Sequence, residues 1–155
     1  MVAPELAARV FRSGTELFLN AELSGAFPSS AIELAEEGTK IAFELEIRIK
    51  GSPKPVVARR SLSYDLGRRE WLVGLGDDRK AKPVPDRYAA LLLASSVWNL
   101  HLGSLSFFDA GTTISIKARP GIIDETGGWH DAGILWGYAE PGRSFTFASV
   151  QEIPR

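Results

Sequence analysis

The chain has 155 residues, 24% of them charged, a formal net charge of -1 and no cysteine. That length suits one domain, able to bury roughly 68–70% of the surface its unfolded form exposes. The charge balance lacks the basic excess of a nucleic-acid binder, and without Cys there are no disulfides, no thiolate catalysis and no thiolate metal sites. No run reaches the roughly 18 apolar residues of a membrane span, and Met1-Val2-Ala3-Pro4 is not a signal peptide.

Residues 1–13 mix polar and apolar side chains without a clean period, so the expectation is a loosely ordered arm with at most a helical turn over Glu5 to Phe11. From Glu16 to Leu23 the residues Leu17, Leu19, Ala21 and Leu23 alternate as in a strand, with Phe18 facing the other way. Pro28-Ser29-Ser30 precedes a short helix over Ala31 to Glu37. Ser30 and Glu33 have capping-box spacing, and Gly38 supplies the stop.

The stretch from Thr39 to Leu75 reads as a three-stranded antiparallel meander. Ile41, Phe43, Leu45, Ile47 and Ile49 fall on every second position, the period of a half-buried strand. The alternate positions, Glu44 and Glu46 among them, are expected to be exposed. Gly51 to Pro55 forces a turn. With Ile49 opposite Val56, Phe43 meets Leu62 and Glu46 meets Arg59. Gly67 is expected to take a positive φ in the next turn, which sets Leu62 against Trp71 and places Trp71 in the core.

Arg60 breaks the pattern by falling between Leu45 and Val73 on the apolar face. Two readings follow. Either a bulge at Arg59-Arg60 or an extended alkyl stem brings the guanidinium out, or Arg60 is a half-buried cation kept for an anionic ligand or a buried carboxylate.

Beyond the meander, Gly76 to Pro85 is a polar connection in which Asp77 and Asp78 sit beside Arg79, Lys80 and Lys82, a solvated loop rather than a cation site. Asp86 caps a second helix, Arg87 to Ala94, with Tyr88, Leu91, Leu92 and Ser95 on one face. Trp98, Leu100 and Leu102 then alternate as a strand, although the helix could also run on to Leu100. Thr112 to Arg119 is a strand stopped by Pro120-Gly121. A Gly-rich loop spans Asp124 to Asp131, a short strand Gly133 to Tyr138, a turn Pro141-Gly142 and a last strand Ser144 to Val150.

These elements make residues 1–155 a single, mainly β domain: a two-layer antiparallel β-sandwich of about seven or eight strands with two short helices over an open edge or end.

The strand ending in Leu23, the helix closed by Glu37-Gly38-Thr39, the strand Ile41 to Ile47, Leu62-Ser63-Tyr64-Asp65, the helix near Tyr88 to Ala94 and Trp136-Gly137-Tyr138 together resemble an uncharacterised bacterial domain family. Its members are usually exported or membrane-anchored and often encoded beside a sensor histidine kinase. The resemblance covers most of residues 15–150 and implies an extracytoplasmic domain with no known enzymatic activity and no established site residues. Family members usually carry an N-terminal hydrophobic anchor, which this sequence does not show.

Catalytic signatures are sparse. There is no Gly-x-Ser-x-Gly elbow, Gly74-Leu75-Gly76 lacks the third glycine and following helix of a phosphate loop, and no cofactor or metal motif is present. His130, in Gly127-Gly128-Trp129-His130-Asp131, is the better placed of two histidines; His101 reads as packed or at an edge. The candidate ligand-binding residues are Arg60, Trp129, His130 and Trp136. The leading expectation is a non-enzymatic binding or sensory module for a protein or cell-envelope partner, with Ser144 to Val150 as an edge open to strand addition. The alternatives are a carrier of a small anionic or amphipathic ligand near Arg60 and a hydrolase built on the His130 loop.

Overall fold

The computed structural model describes residues 3–76, 80–108 and 110–155. The chain is mainly β, in antiparallel sheets that share one hydrophobic core. One sheet holds β1 (Glu5–Ser13), β2 (Glu16–Ser24) and β7 (Ser96–Ser104), in that order. The larger, curled sheet runs β10 (Gly142–Phe147), β8 (Thr112–Ile123), β3 (Lys40–Ile49), β4 (Val56–Asp65), β5 (Glu70–Gly74) and β6 (Lys82–Val84), and β9 (Trp129–Asp131) also pairs with β8. Among the described residues no helix is long and apolar enough to cross a membrane.

Residues 5–13 are not a loose arm. They pair with β2 along their whole length and send Leu6 and Val10 into the core. The period-2 set there is Leu6, Ala8, Val10, and the small Ala8 hides it. The last residues of the chain then cover β1: Arg12 N–H donates to Pro154 O at 2.7 Å, Arg12 Nε to Ile153 O at 2.9 Å, and Ile153 is buried.

Helix α1 (Ser29–Glu36) starts without the expected capping box. The carbonyl of Pro28, its N-cap, accepts from Ala31 and Ile32 N–H, and no side chain caps the helix. Its end is as read: Gly38 at φ +96 bonds to Ala35 O while Thr39 N–H reaches Leu34 O, the paired bonds of a Schellman stop. Helix α2 (Arg87–Ala94) is capped by Asp86, whose Oδ2 accepts Ala89 N–H at 2.9 Å. Its inward face is Ala90 and Ala94, however, and Tyr88 and Leu92 point to solvent. Both helices press an i, i+4 alanine pair inward, Ala31 and Ala35 in α1, because only small side chains let a two-turn helix lie close to the core.

The meander forms with each hairpin shifted by two residues from the expected register: Ile47 faces Val56, Ile41 faces Leu62, and Leu62 faces Val73. An even shift preserves which side is inside, so Ile41, Phe43, Leu45, Ile47, Leu62 and Trp71 are all core. It changes the cross-strand pairs, and Glu44, not Glu46, meets Arg59. In the β4–β5 turn, Asp65 Oδ1 accepts Gly67 and Arg68 N–H, and the positive φ falls on Arg69 rather than Gly67.

Four later elements also differ. In β7, Asn99 takes φ +56 with its N–H on Asn20 Oδ1, and this irregularity turns Trp98 outward while Val97 and Leu102 stay buried. Strand β8 runs through Pro120-Gly121 to Ile123. Pro120 O accepts Ala132 N–H, so the side of Pro120 that lacks a donor lies where β10 ends and β9 begins, away from β3. Residues Gly133–Trp136 form a 3₁₀ turn rather than a strand, with Leu135 and Trp136 both buried. The last strand ends at Phe147; it is an end strand of its sheet and lies beside β1. Asp77 and Asp78 lie outside the described residues.

Candidate functional site

The corner where β9 folds onto β8 is built from a few side-chain choices. Asp124 Oδ1 accepts from Thr126 N–H, Thr126 Oγ1 and Gly128 N–H, and its Oδ2 lies 2.7 Å from His130 Nε2. Hydrogen bonds from His130, Thr126 and Gly128 hold the Asp124 carboxyl far below the usual carboxylate range. The Gly-rich segment is therefore a stapled turn, and it delivers Trp129 opposite Ile123 and Asp131 opposite Gly121.

Trp129 lies over Gly121, where a Cβ would occupy the space of the six-membered indole ring. Its Nε1 donates to Asp131 Oδ1 at 2.8 Å. Two guanidiniums sit over the same indole, Arg59 at 4.9 Å and Arg119 at 5.4 Å from the ring centroid. Both are anchored on Glu44, which is 3% exposed: Arg59 Nε to Oε2 at 2.6 Å, Arg119 Nη2 to Oε1 at 2.8 Å. Glu44 is thus not an exposed strand residue, because the register places it between Arg59 on β4 and Arg119 on β8. Burial pushes its carboxyl up, but the hydrogen bonds and charges of Arg59 and Arg119 outweigh that and leave it below its ordinary value. The Arg119 guanidinium is correspondingly raised, first by its bond to Glu44.

Beside this network is a cleft of about 390 Å³ lined by Arg119, Asp131, Tyr138 and Glu140. Tyr138 is 74% exposed and has φ +63, directly after Gly137 at φ +59. An aromatic residue held left-handed costs on the order of 1–3 kcal/mol. Tyr138 N–H donates to Gly133 O at 2.9 Å, which fixes the conformation. The corner therefore presents an aromatic ring and a paired cation at defined positions. The Arg119 guanidinium at this cleft is held by two carboxylates, Glu44 at 2.8 Å and Asp131 at 3.3 Å.

Of the sequence-predicted residues, Trp129 and His130 meet at this corner. The His130 ring is exposed and bonded to Asp124 at the turn, outside the cleft lining. His101 is exposed beside Phe18 and Glu16. Trp136 is not a surface aromatic: it is 2% exposed and its Nε1 donates to Ala26 O at 2.8 Å. Arg59, Arg119, Glu44 and Tyr138 escaped the sequence reading; the only signal was a charge pair placed two residues from its true register.

Arg60 lies on the opposite face of the sheet from Trp129, across from Phe43. The β3–β4 register is continuous at this point, so no bulge turns the side chain out. Its stem covers the core, and its head donates to Ser96 O at 3.0 Å, Arg59 O at 2.9 Å and Leu75 O at 3.0 Å. Ser96 follows the C-terminus of α2, where a cation is favoured. Arg60→Met is therefore expected to lower stability by about 1–3 kcal/mol, read as a lower denaturant midpoint with an unchanged slope; an unchanged midpoint would show that these bonds carry no net energy.

Among the described residues no three acidic or imidazole side chains converge as metal ligands. Fold and corner define an antiparallel, sandwich-like β domain with an ion-paired aromatic corner. The chain matches no protein-family model, no curated protein and no solved structure.

Proposed function

We propose that the chain is a non-catalytic binding or sensory accessory module, acting outside the cytoplasm on a protein or cell-envelope partner. The observation that carries the reading is the pre-set geometry of the β8–β9 corner. Tyr138 is held exposed against its backbone preference beside an Arg119 guanidinium fixed on a buried carboxylate. A rigid aromatic next to a planar cation is the combination enriched at recognition hot spots, and fixing it before contact lowers the ordering cost of binding. The sequence resemblance to an exported family supports the location.

A photo-crosslinking amino acid placed at Tyr138, and separately at the exposed Leu66 in the β4–β5 turn, tests this in source cells. A discrete adduct from position 138, absent from position 66 and lost with Arg119→Glu, is the expected result. Equal labelling at both positions, or none at 138, would sink the reading.

A further inference from the structure

The end of the sandwich around the β3–β4 loop is a separate place, distant in its lining residues from the Trp129 corner. Three clefts meet there, and Lys50 lines all of them. One, of about 470 Å³, has an apolar wall of Ile49, Leu102, Phe107 and Phe108. Ile49, Leu102 and Phe108 belong to the core, whereas Phe107 is 80% exposed at the mouth. That volume lies within the roughly 300–1,000 Å³ of small-ligand sites. Next to it, a cleft of about 530 Å³ is lined by Arg48, Lys50 and Lys54 with the hydroxyl residues Ser52, Thr113 and Ser115. Arg48 is paired with Glu46 at 2.6 Å, while Lys50 and Lys54 have no acidic partner among the described residues.

A third observation points to the same end. Among the buried side-chain nitrogens and oxygens of the described residues, Thr112 Oγ1 alone has no hydrogen-bond partner. Thr112 is 8% exposed, lines the third cleft with Lys50, and sits on the core side of β8 one inward position beyond Ile114, which faces Ile49. Leaving such a hydroxyl unpaired is unfavourable, because it gives up its hydrogen bonds to water and gains none in the fold. An apolar slot and an ammonium without an acidic partner among the described residues meet at Lys50, and the orphaned Thr112 hydroxyl is buried beside the adjoining cleft that Lys50 also lines; these are the parts needed to hold a molecule with a hydrocarbon tail and an anionic head.

We infer that the open end of the sandwich binds a single-chain amphipathic anion, with its tail against Leu102, Phe107 and Phe108 and its head between Lys50 and the Thr112 hydroxyl. The ammonium supplies charge, the hydroxyl a directed donor, and the aromatic wall the apolar area that drives burial. This site does not depend on the function proposed for the Trp129 corner, and failure at either leaves the other standing.

Titration calorimetry with monomeric decanoate, decanol and acetate tests it. Decanoate should bind saturably, with decanol and acetate at least about tenfold weaker. Lys50→Glu should weaken decanoate by at least about tenfold and leave decanol unchanged. Phe107→Ser should weaken both long-chain compounds. Both residues are exposed, so the variants are expected to fold, which circular dichroism checks. Thr112→Val gives an independent readout: it should raise the stability of the free protein while weakening decanoate, a split that a merely structural hydroxyl would not produce. Absence of saturable decanoate binding, or binding indifferent to Lys50 and Phe107, would overturn the inference. Binding to anionic phospholipid vesicles without binding to monomeric decanoate would also overturn it, in favour of a membrane-docking face.

Discussion

Trp136→Ala is expected to destabilise the protein by about 3–5 kcal/mol, the range for emptying a large aromatic from a core. Trp136 is fully enclosed, and it joins two segments that no sheet hydrogen bond connects. Its indole N–H closes on Ala26 O in the loop before α1, and the neighbouring Phe27 packs on Phe43 of β3, with ring centroids 6.1 Å apart. The alanine variant therefore loses dispersion contacts and leaves a buried carbonyl unpaired. Trp136→Phe separates the two effects: it keeps much of the volume and should cost about 1–3 kcal/mol, mainly for the orphaned Ala26 carbonyl. Urea unfolding followed by far-ultraviolet circular dichroism avoids the fluorescence change that removing a tryptophan would cause. A loss below about 1 kcal/mol for the alanine variant would mean that the 3₁₀ turn is held by other contacts.

Glu44→Gln is the second large effect, with an expected loss of about 2 kcal/mol at neutral pH. Removing one partner from a fully buried ion pair costs about 3–5 kcal/mol. Here Arg59 and Arg119 keep part of their side chains in water, so solvent takes up some of the stranded charge. The pH dependence has a definite sign. The folded Glu44 carboxyl lies below its unfolded value of about 4.3, so its stabilisation is complete above that pH and is lost as pH falls through the lower folded value. The deficit of Glu44→Gln should accordingly be greatest at neutral pH and shrink below about pH 4. Asp124 is also depressed and contributes to the same acid limb, so Asp124→Asn is the control that assigns each share. A Glu44→Gln deficit that stays constant from neutral pH into the acid would show that the carboxylate charge is not what stabilises the network.

The meander was legible because strict alternation in Ile41 to Ile49 admits one inward face, and any even register satisfies it. That same degeneracy made the pairing wrong by two residues. Burial alone does not choose between Glu44 and Glu46, whereas two arginines on flanking strands do, and one of them, Arg119, is 75 residues distant in sequence. Asp86 and Gly38 were readable since a cap and a stop are local. The capping box at Ser30 was not formed, because Pro28 O already serves the first turn. Tyr88 and Leu92 look like a core face by composition, but a short helix lying close to the core admits Ala90 and Ala94 instead. At the candidate site, Trp129 and His130 stood out as chemistry-bearing residues in a Gly-rich segment. Trp136 stood out equally, and nothing local distinguishes an indole that reaches Ala26 from one left in solvent.

The bonds from Arg12 to Ile153 and Pro154 span 141 and 142 residues and bear on the order of folding. Hairpins β3–β4 and β4–β5 close over short loops and can form early, whereas the strap across β1 must wait for nearly the whole chain to be ordered. Until then the outer backbone of β1 is an open template for another strand. During synthesis the cover for β1 is made about 140 residues after the strand itself, so the interval before residues 153 and 154 arrive is when self-association through β1 is most favoured.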